Sequence, residues 1–342
     1  MIPARKVLIA AALVALSLFA PPALSEPPTP PPAQKFIDAV GRSVDLPAHV
    51  ERVIPAGPPA VVLVYALAPE KLLGLLESWT ESRRAFVPEA YRGLPVLPRL
   101  TRAPSDADLA LLRGQTADLI VDYGDIGKAY AASAERAQAA LGVPSILLEG
   151  RMAETPEVLH SLGVILEKKE RGDELAALAE HVLERLHPAS SIDPERRVAV
   201  YLGRGPEGLL AVRPGGLLSE PIEAAGGRNV TPEGPGAFAQ LNVAEAAALH
   251  PAVVILEDPS AADGPLSKAL DPKTVILVDR GGPFGSMEAP PSINRLIGAL
   301  ALAAILHPDL APPDPRFMRA LRENFFGPLP KEAPLDPLER AR

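Results

Sequence analysis

Trp79, the only tryptophan of the chain, is followed within five residues by Arg83 and Arg84, and Tyr123 by Asp125. Tyr201 with Arg204, Phe284 in a glycine-rich stretch, and the pair Asn294–Arg295 extend the pattern, with Arg99 a further cation of the same kind. Most of these residues stand just beyond short apolar runs. A guanidinium fork donates several hydrogen bonds at once to planar or anionic groups, while an aromatic face covers an apolar one. Together they suit a bulky ligand that is partly apolar and partly anionic. The bland alternative for each is a surface salt bridge or a packed ring, so the set counts for more than any member.

Catalytic patterns are missing. The chain has no cysteine, which excludes a thiol nucleophile, a disulfide framework, a Cys-ligated zinc and an iron–sulfur cluster. Its six histidines (His49, His160, His181, His187, His250, His307) include no pair four residues apart and no H-E-x-x-H, so no histidine metal site is read. No G-x-S-x-G nucleophile elbow occurs. Gly203-Arg204-Gly205-Pro206-Glu207-Gly208 matches the dinucleotide fingerprint in letters only. That fingerprint needs a helix opening toward the pyrophosphate, whereas Leu209–Val212 reads as strand or loop and Pro214-Gly215-Gly216 interrupts the chain directly after it. A glycine-rich turn is the better reading.

The elements that must position the aromatic and arginine set alternate between short apolar runs and helical patterns, which predicts α/β units around parallel sheets. Strands are expected at Arg52–Pro55, Leu72–Leu76, Asp118–Asp122 and Ser145–Leu148, then at Val198–Leu202, Val253–Glu257 and Thr274–Val278. Between the two series, Thr155–His187 repeats apolar residues at three and four, with its charged centre Glu167–Asp173 a natural break. The picture is two similar α/β lobes joined by a long helix. In open α/β sheets ligands bind beyond the carboxyl ends of the strands, where the singled-out residues lie.

The 342 residues suffice for about two domains, at roughly 100–200 residues each. With 34 basic against 42 acidic residues the net charge is −8, which argues against a nucleic-acid surface. Met1–Lys6 carries Arg5 and Lys6, Val7–Ala20 is apolar, and Ala23-Leu24-Ser25 offers small residues before Glu26. This order predicts a cleavable secretory signal at residues 1–25, since a membrane span needs about 20 apolar residues. Cleavage removes two positive charges, taking −8 to −10. Without a cysteine at the cleavage site, no lipid anchor is expected and the product is free in the periplasm. A proline-rich leader (26–34), an N-terminal lobe (35–154), a helical segment with the bridging helix (155–188), a C-terminal lobe (189–326) and a trailing tail rich in proline and charge (327–342) complete the expected organisation.

Asp38-Ala39-Val40-Gly41-Arg42-Ser43-Val44-Asp45-Leu46-Pro47, followed by Glu51-Arg52-Val53-Ile54, resembles the opening of periplasmic binding proteins for ferric siderophores, haem and cobalamin. Ala117–Val121, Leu141–Pro144, Arg204–Gly208, Ile222–Val230 and Pro290–Gly298 continue the resemblance in order, over roughly residues 36–310. It implies two Rossmann-like lobes bridged by one helix, a metal chelate held between them, and delivery to the membrane permease of an ABC importer by a monomeric protein. Metal would then arrive inside its ligand, with no cofactor and no bare metal site. The ligand-binding residues expected on this reading are Trp79, Arg83, Arg99, Tyr123, Tyr201, Arg204, Phe284 and Arg295. Such proteins grip permease arginines with one acid per lobe; the corresponding positions are Ala110 and Ala244, with Asp108 and Glu245 as nearby substitutes. The loop after the first strand also departs from the family, being Ala56-Gly57-Pro58-Pro59. An oxyanion such as molybdate or tungstate, or a corrinoid, is the same-class alternative; a sensory or structural module that has lost transport, or a secreted α/β enzyme, are rivals of other classes.

Overall fold

Runs of β-branched and leucine residues make the buried strands, and in the computed structural model these lie in residues 34–101, 104–271, 273–279, 282–287, 290–334 and 336–341, the parts of the chain it describes. The expected signal peptide and all but the last residue of the leader fall outside the described residues. Gln34, counted with the leader, already belongs to β1 (Gln34–Ile37), which pairs antiparallel with β2 (Ser43–Leu46).

The first half continues with β3 (Val53–Pro55), α1 (Pro58–Leu67), α2 (Glu81–Arg84), α3 (Asp106–Arg113), β4 (Leu119–Gly124), α4 (Lys128–Leu141) and β5 (Ser145–Glu149). Strands β3, β4 and β5 form a parallel sheet in that order, with Val53 opposite Leu119 and Ile120 opposite Ser145. All six residues of β4 are buried, as a parallel strand covered on both faces requires. Helix α1 is apolar all round and buried from Ala60 to Leu67, a core helix rather than an amphipathic one. Leu72–Leu76 is not the expected strand. It makes only isolated bridges, Val53 to Leu72 and Leu75 to Val96. Gly74 at its centre offers no side chain to pack on a pleated surface, and a Cβ there would lie 2.5 Å from the Pro95 carbonyl oxygen.

Helix α5 (Thr155–Ile165) and α6 (Lys169–Ser190) divide where the charged centre predicted. Gly163 and Gly172 let their backbones meet: a Cβ on Gly163 would come within 2.7 Å of the Gly172 Cα. Helix α6 runs 22 residues, about 33 Å at 1.5 Å per residue, and leads into the second half.

That half comprises β6 (Val198–Arg204), β7 (Leu210–Val212), α7 (Glu220–Ala224), β8 (Gly227–Asn229), β9 (Phe238–Gln240), α8 (Val243–Ala247), β10 (Val253–Leu256), α9 (Pro265–Ala269), β11 (Val275–Asp279), α10 (Asn294–Leu306), α11 (Pro315–Phe326) and β12 (Leu338–Arg340). Its sheet has the expected parallel strands at its centre, with antiparallel ones added. Strands β8, β6, β10 and β11 run parallel, while β7, β9 and β12 are antiparallel to their neighbours. The cause is the glycine-rich stretch after β6. Gly205 and Gly208 take positive φ (76° and 68°), folding the chain straight back as β7 instead of into a helix. The C-terminal stretch, expected to trail, contributes β12 at the sheet edge beside β11. Among the described residues no helix is long and apolar enough to cross a membrane.

Candidate functional site

The segment after β3, the end of β4, the N-terminal part of α4, and the chain leaving β7 and entering β9 enclose a cleft of about 920 Å³. Its first-half wall holds Arg99, Asp122, Tyr123, Asp125, Tyr130 and Arg136; its second-half wall holds Arg213, Leu217, Leu218 and Phe238. Gly57-Pro58-Pro59, the segment that departs from the family pattern, lines it as well, with Pro291 from the approach to α10. The cleft is thus bounded by loops beyond strand ends, as the sequence predicted.

Three arginines give the cleft its cationic character, each held differently. Arg99 is paired with Glu77. Arg213 donates its Nε to the Phe238 carbonyl at 3.0 Å and an Nη to the Pro232 carbonyl, which aims the fork from the second wall. Arg136 stands exposed on α4 with no ion pair among the described residues. Against them are Asp125, which accepts a hydrogen bond from the Gly127 amide, and Asp122, buried beneath it. Burial pushes the Asp122 carboxyl up to about 6, over the lowering effects of the Tyr123 amide and the Arg42 charge.

Of the residues singled out in the sequence, Arg99, Tyr123 and Asp125 line this cleft. Trp79 and Phe284 come together, with ring centroids 5.3 Å apart, but in an aromatic seam with Tyr65, Tyr91 and Phe326 and not among the lining residues. The Trp79 indole donates to the Tyr91 carbonyl at 3.2 Å. Arg83 lies on α2, away from the cleft lining. Tyr201 is buried, its hydroxyl donating to the Gly208 carbonyl at 2.8 Å, and so braces the β6–β7 turn. Arg204 is ion-paired with Glu257 at 2.7 Å, its guanidinium 5.0 Å from the Phe238 ring centroid. It stands behind a cleft residue, with its charge met by a carboxylate.

Arg295 is the clearest departure from a ligand-facing role. It is fully buried and donates to Ser292, Leu217 and Gly150 carbonyls and to Glu220 Oε2, the last at 2.6 Å. The same Oε2 accepts the Met152 amide at 3.1 Å. Gly150 and Met152 lie just past β5 in the first half; Leu217 and Glu220 belong to the second. One guanidinium therefore ties both halves beneath the cleft, and Ser292 adds a bond from its hydroxyl to the Pro59 carbonyl at 2.9 Å.

Sequence reasoning missed Arg136, Arg213, Phe238 and the chemistry of Asp122. Arg213 opens the Arg-Pro-Gly-Gly stretch that reads simply as a helix breaker, and β9 is too short at three residues to show a period. Asp108 and Glu245 prove to be matched across the halves. Each is the third residue of a short helix and closes a capping box, Asp108 with Ser105 and Glu245 with Asn242. Those bonds to Ser105 hold the Asp108 carboxyl below the usual range. Ala110 and Ala244 lie exposed on the same helices. Among the described residues no three histidine, aspartate or glutamate side chains converge as a metal site.

No protein-family model matches the sequence, and no curated protein matches it. Solved structures do. An ABC transporter solute-binding protein from Sulfurospirillum deleyianum superposes with a TM-score of 0.77 at 23% identity, over 87% of this chain and 96% of that one. The molybdate periplasmic binding protein of Haemophilus influenzae, solved with molybdate bound, gives 0.65 at 16% identity over 87% and 99%. The periplasmic vitamin B12-binding protein of Vibrio cholerae gives 0.57 at 16% identity over 75% and 96%. The chain has the fold of the periplasmic solute-binding proteins of ABC transporters.

Proposed function

We propose that this protein is the periplasmic substrate-binding component of an ABC importer, capturing a metal chelate of the ferric-siderophore type and presenting it to a membrane permease. The observation that carries the reading is the cleft of about 920 Å³ walled by both halves of a solute-binding fold, with arginines from each wall beside Tyr130, Phe238 and prolines. A volume near the upper end of the roughly 300–1,000 Å³ typical of ligand sites fits a chelate with organic arms, and far exceeds a tetrahedral oxyanion. In this reading the protein acts by binding alone, as a monomer, and the exposed faces of α3 and α8, with Asp108 and Glu245 capping them, meet the permease.

The test is thermal unfolding of the purified protein with ferric catecholate and hydroxamate chelates, haem, cyanocobalamin and molybdate in turn. A ligand at 100 times its Kd stabilises by about 2.7 kcal/mol, a shift of several degrees in Tm. Stabilisation by an iron chelate is expected. A shift with molybdate alone replaces the chelate by an oxyanion, and silence from every probe overturns the binding reading.

Capture should involve little motion, because α6 and the Arg295 bonds tie the halves in addition to the linking chain. Small-angle scattering with and without the stabilising ligand is expected to show the radius of gyration falling by less than ~2 Å; a larger fall marks wide hinge closure instead.

A further inference from the structure

Among the described residues the cleft contains a buried acid that is ion-paired with no cation. Asp122 lies in the C-terminal half of β4, is 3% exposed, and lines the cleft. Its Oδ1 accepts the Tyr123 amide at 3.0 Å; its Oδ2 accepts no hydrogen bond from the described residues. The cation that acts on it, Arg42, is already bound to Asp38 at 2.5 Å and donates to the Ser145 carbonyl. Near it lies the Tyr130 phenol, whose pKa is raised by burial, by Asp125 and by Asp122 itself, and Asp125 is a second acid of the same cleft lining. Neither supplies positive charge.

A buried carboxylate is stable only when paired or protonated. The burial that raises its pKa to about 6 shows the cost of leaving it bare. None of the three cleft arginines is ion-paired with it among the described residues: Arg99 is paired with Glu77, Arg213 is bound to carbonyls on the opposite wall, and Arg136 stands exposed on α4. What the protein does not supply at this point is a second hydrogen-bond donor, so a ligand that displaces water from the carboxylate must bring a donor of its own. The arginines meanwhile suit oxygen atoms carrying negative charge. The two chemistries together describe a chelate that is oxygen-rich on one side and carries a donor on the other.

We propose that Asp122 is the specificity-determining residue of the cleft, selecting chelates that present a hydrogen-bond donor, above all an ammonium group, to the end of β4. This rests on the reading of the cleft as a chelate site. A charge-assisted hydrogen bond in a partly dry pocket discriminates by about ten-fold or more against a ligand lacking it.

Titration calorimetry at pH 7.5 with a matched pair of probes tests the inference: ferric desferrioxamine B, whose terminal ammonium is free, and its N-acetyl derivative, in which that charge is gone. The wild type is expected to bind the ammonium form at least ten-fold more tightly. Asp122→Asn should close most of that gap by weakening the ammonium form, with little change for the acetylated one, and a thermal melt of the variant checks that it is folded. Equal affinities in the wild type, or a gap that survives in Asp122→Asn, overturn the role of Asp122 and leave the chelate reading standing. Failure of the wild type to bind either form counts against both.

Discussion

Replacing Arg295 with alanine is expected to lower stability by about 3–5 kcal/mol, the cost of breaking a buried ion pair by removing one partner. The guanidinium is fully buried and serves four acceptors, so its loss leaves the Gly150 and Leu217 carbonyls without this donor and Glu220 without its cation. Glu220→Gln should cost much less, because an amide oxygen can still accept from Arg295 and from the Met152 amide. The double variant Arg295→Met, Glu220→Leu should recover a large part of the loss, since neither charge is then left alone. Urea unfolding of the four proteins measures all three values. A single-variant loss under 1 kcal/mol would mean that Arg295 is solvated and free to serve the ligand, which is the role its sequence context suggests.

That reversal shows where the sequence runs out. Arg295 and Arg99 look alike in the chain: each is an arginine near a segment end with aromatic residues in the wider set. What separates them is the set of acceptors. Gly150, Leu217 and Ser292 offer backbone carbonyls, two of them from segments 78 and 145 residues away, and no pattern of residue types records a carbonyl's direction. Tyr201 is misread for the same reason, its partner being the Gly208 carbonyl.

Features carried by local chemistry were legible. Gly142 closes α4 in the left-handed conformation, the break between α5 and α6 falls in the charged stretch, and Gly205 and Gly208 make a turn and not a nucleotide loop. The capping boxes that absorb Asp108 and Glu245 are also written locally, as Ser105 and Asn242 each three residues earlier. Legibility fails at β7 and β9, each three residues long, and with them went Arg213 and Phe238, the arginine and the aromatic ring of the cleft's second wall.

The second large effect is a change of stability with pH governed by Asp122. Its carboxyl is raised from 3.8 in the unfolded chain to about 6 in the folded protein. Above the unfolded value the folded state therefore binds more protons than the unfolded one. Stability is greatest where Asp122 is protonated in both states, declines as pH rises from about 4 through 6, and levels off above that. That rise from 3.8 to about 6 corresponds to a loss of about 3 kcal/mol across the window. The groups that interact with it are Arg42 and Tyr130, neither of them a histidine that would add a transition of its own near neutrality. Asp122→Asn, which keeps shape and acceptor but carries no charge, should flatten this part of the profile and exceed the wild type in stability at pH 8. Thermal unfolding of both proteins from pH 4 to 8, without ligand, measures the difference curve. Parallel profiles would show that the Asp122 carboxylate is already compensated in the empty protein, and would remove the electrostatic reason for the cleft to seek a donor at the end of β4.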